Sequence, residues 1–164
     1  MKKYIIGAAV IAVTLPLDIL SKFYIVRNFH IGENVDFLGG FLRITLIYNE
    51  GGVFGIMQGY KNLFLVMSLV VLALMIGYYI YEKNKTVLFT AAMALIVSGA
   101  IGNIIDRLIP GRPGVVDFIY VGFDSFRWPA FNVADASIVV GAFLLIAVVF
   151  IEDKKMREQN LKGE

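Results

Sequence analysis

Two aspartates stand beside amide and apolar residues in the second half of the chain. Asp117 lies within Val116-Asp117-Phe118, and Asp135 follows Asn132 by three positions. Two carboxylates held close together resist double ionisation, so one keeps a proton and the other does not. The ionised acid can then take a proton from water while the protonated acid polarises a peptide carbonyl. Such a pair has the chemistry needed for peptide hydrolysis without a covalent intermediate.

Each of these residues also has a purely structural interpretation. Asn132 is typical of a helix N-cap, and Asp135 would then lie in the first turn, where the helix dipole favours a carboxylate. Asp117 alone is compatible with an exposed loop acid. Asp18 and Lys22 are four positions apart, as in a salt bridge along one helix. The residue types alone leave both interpretations open.

A further set of polar residues shares one helical face. Gly99, Asn103 and Asp106 are spaced by four and then three positions, and Arg107 follows them. In a membrane, a glycine lets another backbone approach closely and an amide can hydrogen-bond to a neighbouring helix. The set is therefore compatible with a helix-packing seam as well as with a polar site.

The elements that must position these residues are membrane helices. The 164 residues are 59% hydrophobic and 17% charged, with a mean hydropathy of +0.76, whereas soluble domains are about half apolar and about a quarter charged. Four apolar runs are each long enough to cross a hydrocarbon core of about 30 Å. The first resembles a secretory signal, but its length and the lack of a small-x-small cleavage site favour a retained helix. The predicted transmembrane helices cover residues 4–21, 62–81, 86–105 and 133–151.

Lysine and arginine in the short connecting segments predict the orientation. They cluster before the first run, between the second and third, and after the fourth, and such segments face the cytoplasm. We therefore expect a single membrane domain over residues 1–164 with both termini cytoplasmic. External loops would cover 22–61 and 106–132, and a solvated tail would cover 152–164. All the acids discussed above would then lie near the external boundary.

The two external segments have patterns of their own. Residues 41–48 alternate apolar and polar positions, which predicts a half-buried strand, and Gly39-Gly40 before it is compatible with a hairpin turn. Six aromatic residues fall between Phe118 and Phe131, and such rings prefer the membrane-water interface. The predicted fold is thus an α-helical integral membrane protein with a small external β-sheet element and an external aromatic loop.

Several classes of function are excluded or disfavoured. No cysteine and one histidine exclude a thiolate nucleophile and a structural zinc cluster, and the net charge of +2 gives no footprint for nucleic acid. An ion-coupled transporter would spread its acids through the membrane depth rather than collect them at one boundary. A serine-lysine hydrolase would pair Ser21 or Ser98 with Lys22, but Ser21 would point about 100° away from its neighbour.

The motifs that contain these residues resemble those of the bacterial lipoprotein signal peptidases, also called signal peptidase II. The resemblance covers almost the whole chain, and five motifs in the family's order on four spans are highly specific. They are Asp18-Ile-Leu-Ser-Lys22, Asn49-Glu-Gly-Gly-Val-Phe-Gly55, Gly99-Ala-Ile-Gly-Asn-Ile-Ile-Asp-Arg107, Val116-Asp117-Phe118 and Phe131-Asn-Val-Ala-Asp135. The sequence departs from the pattern in two places: Ile19 stands where many members have glutamine, and Gly52-Val53 stands where paired alanines are common.

The resemblance implies an aspartyl endopeptidase of the bacterial cytoplasmic (inner) membrane that needs no metal or other cofactor. Its catalytic dyad falls on Asp117 and Asp135. It would cleave prolipoproteins on the amino side of a diacylglyceryl-modified cysteine, with substrate arriving from the membrane lipids. A monomer is expected, as is inhibition by cyclic peptide antibiotics such as globomycin. Residues that would contact the substrate or support the site are Asp18, Lys22, Asn49, Gly51, Gly99, Asn103, Asp106, Arg107, Asn132 and Ala134, with Asn49 and Arg107 nearest the substrate backbone.

Overall fold

The computed structural model describes residues 1–52, 56–123 and 126–163. Each of its helices contains a window long and apolar enough to cross a membrane, with mean hydropathy between 1.9 and 2.6. The predicted class, four transmembrane helices with a small sheet, is confirmed. The helices are α1 Lys2–Asn28, α2 Lys61–Tyr81, α3 Val87–Leu108 and α4 Val133–Gly163.

The first helix continues well beyond its predicted end. The sequence pattern ended it at residue 21 and began a loop at 22, whereas α1 runs to Asn28. Lys22 is only 2% exposed and is paired with buried carboxylates, and Ile25 one turn later is also buried. The prediction was wrong because it treated a charged residue as solvated, although an ion-paired lysine can remain inside the protein.

The fourth helix also continues through the segment predicted to be a solvated tail. Residues 152–163 are helical, and they are rich in glutamate, lysine, methionine, arginine and glutamine, which are good helix formers. Lys154 and Glu158 lie 3.9 Å apart, four positions from each other on the exposed side. The apolar span itself is limited to Val133–Glu152.

The remaining helix ends lie close to their predicted positions. α2 and α3 each begin within one residue of the expected start, and α3 ends at Leu108, three residues late. Thr86 caps α3, since its hydroxyl accepts a hydrogen bond of 3.1 Å from the backbone N–H of Phe89.

Four antiparallel strands in the order β1-β2-β3-β4 form one sheet. The predicted strand at 41–48 corresponds to β2, and the turn at Gly39-Gly40 lies in a 3-10 segment that joins β1 to β2. The segment predicted as an aromatic loop is instead a hairpin of β-branched and aromatic residues, whose first strand pairs with β2 and whose second strand pairs with the first. The strands are β1 Asn34–Phe37, β2 Leu42–Asn49, β3 Val115–Phe123 and β4 Phe126–Phe131.

The third helix is the centre of the bundle. More than half of its apolar window is buried, whereas no residue of α2 is buried. α3 packs against the three other helices. A Cβ on Gly99 would clash with the carbonyl oxygen of Ala134 in α4, so this close approach requires glycine.

An apolar cluster attaches the sheet to the bundle. Ile25 of α1 packs with Leu46 of β2 and with Val116 and Phe118 of β3. Two of these residues flank Asp117, so the strand that carries this acid is held against α1 on an apolar base. The sheet end of the bundle is therefore where strand and helix residues meet.

Candidate active site

Asp117 of β3 and Asp135 of α4 are linked by one asparagine. The side-chain amide of Asn132 donates to Asp117 Oδ1 at 2.7 Å. The backbone N–H of Asn132 donates to Asp135 Oδ2 at 3.1 Å, and the backbone N–H of Asp135 donates to Asn132 Oδ1 at 2.9 Å. This reciprocal pair is a capping box at the start of α4. Asn132 therefore caps α4 and contacts both acids at the same time.

A second amide donates to each carboxylate from another element. Asn49, at the end of β2, donates to Asp117 Oδ2 at 3.1 Å. Asn103 of α3 donates to Asp135 Oδ1 at 2.7 Å. All four carboxylate oxygens thus accept a hydrogen bond from an asparagine, which fixes the orientation of both acids.

Lys22 stands behind Asn103 in a buried ionic cluster. Its ammonium group lies 2.8 Å from Asp18 Oδ2 and 3.0 Å from Asp106 Oδ2, and it donates to Asn103 Oδ1 at 3.0 Å. Arg112 pairs with the other oxygen of Asp106. Two carboxylates and two cations balance within the cluster, which offsets much of the cost of burying them.

The ionic cluster is also tied to the strand and helix that carry the two acids. Asp106 Oδ2 accepts a 3.1 Å hydrogen bond from the backbone N–H of Val116, next to Asp117. Asp18 Oδ1 accepts one of 2.8 Å from the backbone N–H of Ala134, next to Asp135. The expected Asp18–Lys22 salt bridge is present, but it belongs to a larger network around the site.

Arg107 holds the chain after β2 against α3. Its guanidinium group donates to the carbonyl oxygens of Asn103 at 3.2 Å and Gly51 at 3.1 Å. The N–H of Gly51 in turn donates to Asn49 Oδ1 at 3.0 Å. Arg107 is only 9% exposed, so its contacts are with this protein's own backbone. Val53 and Gly55 of the same sequence motif lie outside the described residues.

A cleft of about 310 Å³ opens beside Asp117. Tyr48, Asn49 and Gln58 line one part of it, and Tyr120 and Pro129 line another. The cleft is thus bounded by β2, by the segment before α2 and by the β3–β4 hairpin. A peptide that enters it would have its backbone beside Asn49 and Asp117.

The environment of Asp117 makes its carboxyl group titrate near neutrality. Burial raises the pKa of Asp117 to about 7, and the negative charge of Asp135 contributes in the same direction. Hydrogen bonds from Asn49 and Asn132 oppose the rise because they stabilise the ionised form. A carboxyl group of this kind can carry a proton at physiological pH and release it in a reaction.

The structure brings together all the residues singled out from the sequence that it describes, with Gly99 one turn away at the packing seam. Three contributors were missed: Arg112, Gln58, which donates to Asn49 Oδ1 at 3.2 Å, and Gly102, where a Cβ would clash with the Asp18 carboxylate. The spacing of Gly102, three positions after Gly99, is a signal for it. Arg112 and Gln58 were missed because their partners, Asp106 and Asn49, lie six and nine positions earlier across irregular segments, where no helix or strand period relates the two residues.

A serine-lysine hydrolase would need a hydrogen bond between a serine hydroxyl and Lys22, and the contacts of Ser21 and Ser98 are with other groups. Ser21 donates to the backbone oxygen of Asp18 at 2.9 Å, and the hydroxyl of Ser98 lies 2.5 Å from that of Thr14. Lys22 is occupied by the ionic cluster. Among the described residues, no group of three histidine, aspartate or glutamate side chains could hold a metal ion.

Four membrane-spanning helices with hydrogen-bonded aspartates at one end of the bundle are the arrangement expected of a membrane aspartyl peptidase. The model of the family described as signal peptidase (SPase) II matches residues 10–151. The chain therefore belongs to the signal peptidase II family, and its activity is the removal of signal peptides from prolipoproteins. It is a multi-pass protein of the bacterial inner membrane.

Known lipoprotein signal peptidases are similar in sequence to this chain along nearly its whole length. A lipoprotein signal peptidase of Listeria welshimeri is 39% identical over 160 residues, covering 96% of this chain and 98% of that protein. One of Bacillus pumilus is 39% identical over 148 residues, covering 90% and 94%. A bacterial membrane enzyme structure obtained by the in meso method superposes with a TM-score of 0.82 at 27% identity, covering 91% of this chain and 90% of that one.

Proposed function

We propose that Asp117 and Asp135 are the catalytic dyad and that the bond cleaved lies on the amino side of a diacylglyceryl-modified cysteine. The observation that carries the proposal is the double contact of Asn132, which binds one oxygen of each carboxylate beside an open cleft. The two acids come from sequence positions on different elements, so their meeting is not a consequence of helix capping alone.

The reaction divides between the two acids. The ionised carboxylate removes a proton from a water molecule, whose oxygen forms a bond to the scissile carbonyl carbon. The protonated carboxyl group donates a hydrogen bond to the carbonyl oxygen as negative charge develops there. When the C–N bond breaks, the cysteine nitrogen leaves as an amine after taking a proton from the dyad, and the pair returns to its singly protonated state.

The neighbouring residues would position the dyad and the substrate. Asn103 and Asn132 hold the carboxylates at fixed angles, and Lys22 fixes Asn103 from behind. Asn49 is partly exposed in the cleft, and its amide donates to Asp117 and to the backbone oxygen of Gly52, so we assign it the orientation of Asp117 beside the path of the substrate. Because Arg107 donates to the backbone oxygens of Gly51 and Asn103, we assign it a supporting role instead of the expected contact with the substrate backbone.

The orientation and partners follow from the same proposal. Both termini face the cytoplasm, because lysine-rich segments flank that end of the helices, and the dyad faces the external leaflet. A lipid-modified precursor then reaches the cleft sideways from the membrane lipids. The enzyme acts as a monomer, and cyclic peptides such as globomycin inhibit it by occupying the cleft beside the dyad.

Separate replacement of the two acids tests the assignment. Asp117→Asn and Asp135→Asn are each expected to lower cleavage of a lipid-modified precursor in membranes by at least about 100-fold, since general acid-base groups contribute factors of that order. Asp36→Asn is the matched control, because Asp36 is exposed in β1 and its carboxylate pairs with Arg43 of β2 rather than with a residue of the dyad. Full activity in either inserted and folded dyad variant would rule out the proposal.

A further inference from the structure

A second cavity, an apolar crevice of about 310 Å³, lies between α1, α2 and α3. Gly7 and Ile11 of α1, Ile76 of α2, and Met93 and Val97 of α3 are among its lining residues. α3 packs against both neighbours, whereas direct contact between α1 and α2 is slight. The gap between these two membrane-spanning helices therefore faces the hydrocarbon of the bilayer, and α3 forms its floor.

The crevice is remote from the dyad. Gly7 precedes Asp18 by 11 residues in α1, which corresponds to about 16 Å along the axis at 1.5 Å per residue. Met93 precedes Asp106 by 13 residues in α3, a distance of about 20 Å by the same rise. The crevice thus occupies the half of the bundle opposite the sheet, and it cannot be a part of the cleft beside Asp117.

Two lysines stand at the mouth of the crevice. Tyr4 and Tyr79 line the cavity, the ammonium group of Lys3 lies 5.5 Å from the Tyr4 ring centre, and that of Lys85 lies 5.1 Å from the Tyr79 ring centre. Lys3 also donates to the backbone oxygen of Lys85 at 2.9 Å. Amphipathic side chains of this kind mark the boundary between hydrocarbon and head groups.

Within the described residues, no ion pair neutralises the charge at this mouth. In the part of the chain that the structure describes, no carboxylate lies within 4.0 Å of either ammonium group. Glu82 in the adjacent turn instead accepts a hydrogen bond of 2.6 Å from the backbone N–H of Asn84. The mouth of an apolar cavity thus carries two positive charges that an anionic group could approach.

We propose that this crevice binds an anionic phospholipid, with an acyl chain between α1 and α2 and the phosphate of the head group at Lys3 and Lys85. Charge complementarity selects this occupant over two others. The segment before the apolar part of a signal peptide is positively charged, so Lys3 and Lys85 would repel it. A second copy packed in parallel would bring the same lysines together, which is equally unfavourable.

The absence of cysteine from the sequence makes a single reporter possible. Ala8 lines the crevice and is exposed, so Ala8→Cys can carry a bimane fluorophore in the otherwise unchanged full chain. In vesicles that contain brominated phosphatidylglycerol, quenching is expected at a lower mole fraction of brominated lipid than with brominated phosphatidylcholine. Ile76→Cys, on the α2 side of the same crevice, provides a second reporter if the first variant does not fold.

Removing the two lysines should abolish this preference. Lys3→Gln with Lys85→Gln is expected to weaken the effect of phosphatidylglycerol by roughly fivefold per lysine, the share of one cation near an anionic lipid surface. Lys2→Gln with Lys83→Gln removes the same charge from exposed positions at the same end of the bundle and should leave the preference in place.

Four outcomes would overturn the proposal. Equal quenching by both brominated lipids would mean no anionic selectivity, and an equal loss in both double variants would mean general surface attraction. A disulfide between two Ala8→Cys chains would show a second copy in the crevice, and cross-linking of Ala8→Cys to a precursor would show a signal peptide there. The quenching measurement requires no cleavage, so it is independent of the dyad assignment.

Discussion

At the scale of single residues, protonation of Asp117 makes the folding stability of the protein depend on pH. Its pKa is raised to about 7 chiefly by burial, while the hydrogen bond from Asn49 lowers it. The folded protein therefore binds this proton more tightly than the unfolded chain, whose carboxyl has its usual pKa of 3.8. The contribution of Asp117 to folding stability consequently falls as pH rises from about 4 to about 7.

The fall of catalytic activity at high pH should depend on the same proton. A dyad that needs one proton loses activity as pH rises through the pKa at which that proton leaves. Asn49→Ala removes a donor that stabilises the ionised acid, so the alkaline limb of kcat/KM should move upward by roughly half a unit to one unit. Asn34→Ala, at an exposed position of β1, is the control. An alkaline limb that stays in place while the rate falls would show that Asn49 does not act on the pKa of Asp117.

The buried ionic cluster predicts a pattern of single and double substitutions. Lys22→Met leaves Asp18 without its direct ion pair and Asp106 paired with Arg112, and an unpaired buried charge costs about 3 to 5 kcal/mol. Adding Asp18→Asn restores the balance and keeps an oxygen for the N–H of Ala134. The double variant should therefore unfold at a higher temperature than Lys22→Met alone. A double variant less stable than the single one would contradict the charge argument.

The sequence predicted most of the residues of this site, but not the ion pairs that link them across different helices. Residue types identified both aspartates, and the order of the motifs selected them over the structural interpretation. The burial of Lys22, by contrast, depends on Asp106 from α3, 84 positions later. No local pattern contains that information, which is why α1 was predicted to end at the lysine.

At the scale of elements, the approach of α3 to α4 depends on a missing side chain. A Cβ at Gly99 would clash with the backbone oxygen of Ala134, which cannot turn aside as a side chain can. Gly99→Ala is therefore expected to lower the melting temperature and to displace Asp135 from Asn103, with loss of cleavage. Gly77→Ala in α2 is the matched control, because nothing lies within 4 Å of its added Cβ, and alanine is favoured in helices by about 1 kcal/mol. Equal stability of the two variants would show that α3 and α4 can separate without cost.

The sheet was harder to predict than the helices. Periodicity indicated β2, and the glycine pair indicated the turn before it. On the side away from β1, β2 pairs with β3, which follows it only after two transmembrane helices, so this pairing is a long-range property. The aromatic residues of β3 and β4 suggested an interface, but not that they would form strands.

At the scale of the whole molecule, the sheet and the lysine-rich turn between α2 and α3 lie at opposite ends of the bundle. The proposed topology places the first outside and the second in the cytoplasm. In a chain without cysteine, Asn34→Cys in β1 and Asn84→Cys in the turn are single exposed reporters. A membrane-impermeant maleimide applied to intact protoplasts should label Asn34→Cys only, and Asn84→Cys should react after lysis. Labelling of Asn84→Cys in intact protoplasts would contradict the proposed topology and indicate the opposite orientation.

The capping box at the start of α4 restricts how the chain can change in length. Asn132 caps the helix and Asp135 lies in its first turn, so the beginning of a membrane span and the geometry of the proposed dyad depend on the same hydrogen bonds. One inserted residue between them would rotate Asp135 by about 100° around the helix axis, away from Asn103. A residue inserted after Glu152 would leave these hydrogen bonds in place, whereas the interval of three residues at the start of α4 cannot change without breaking them.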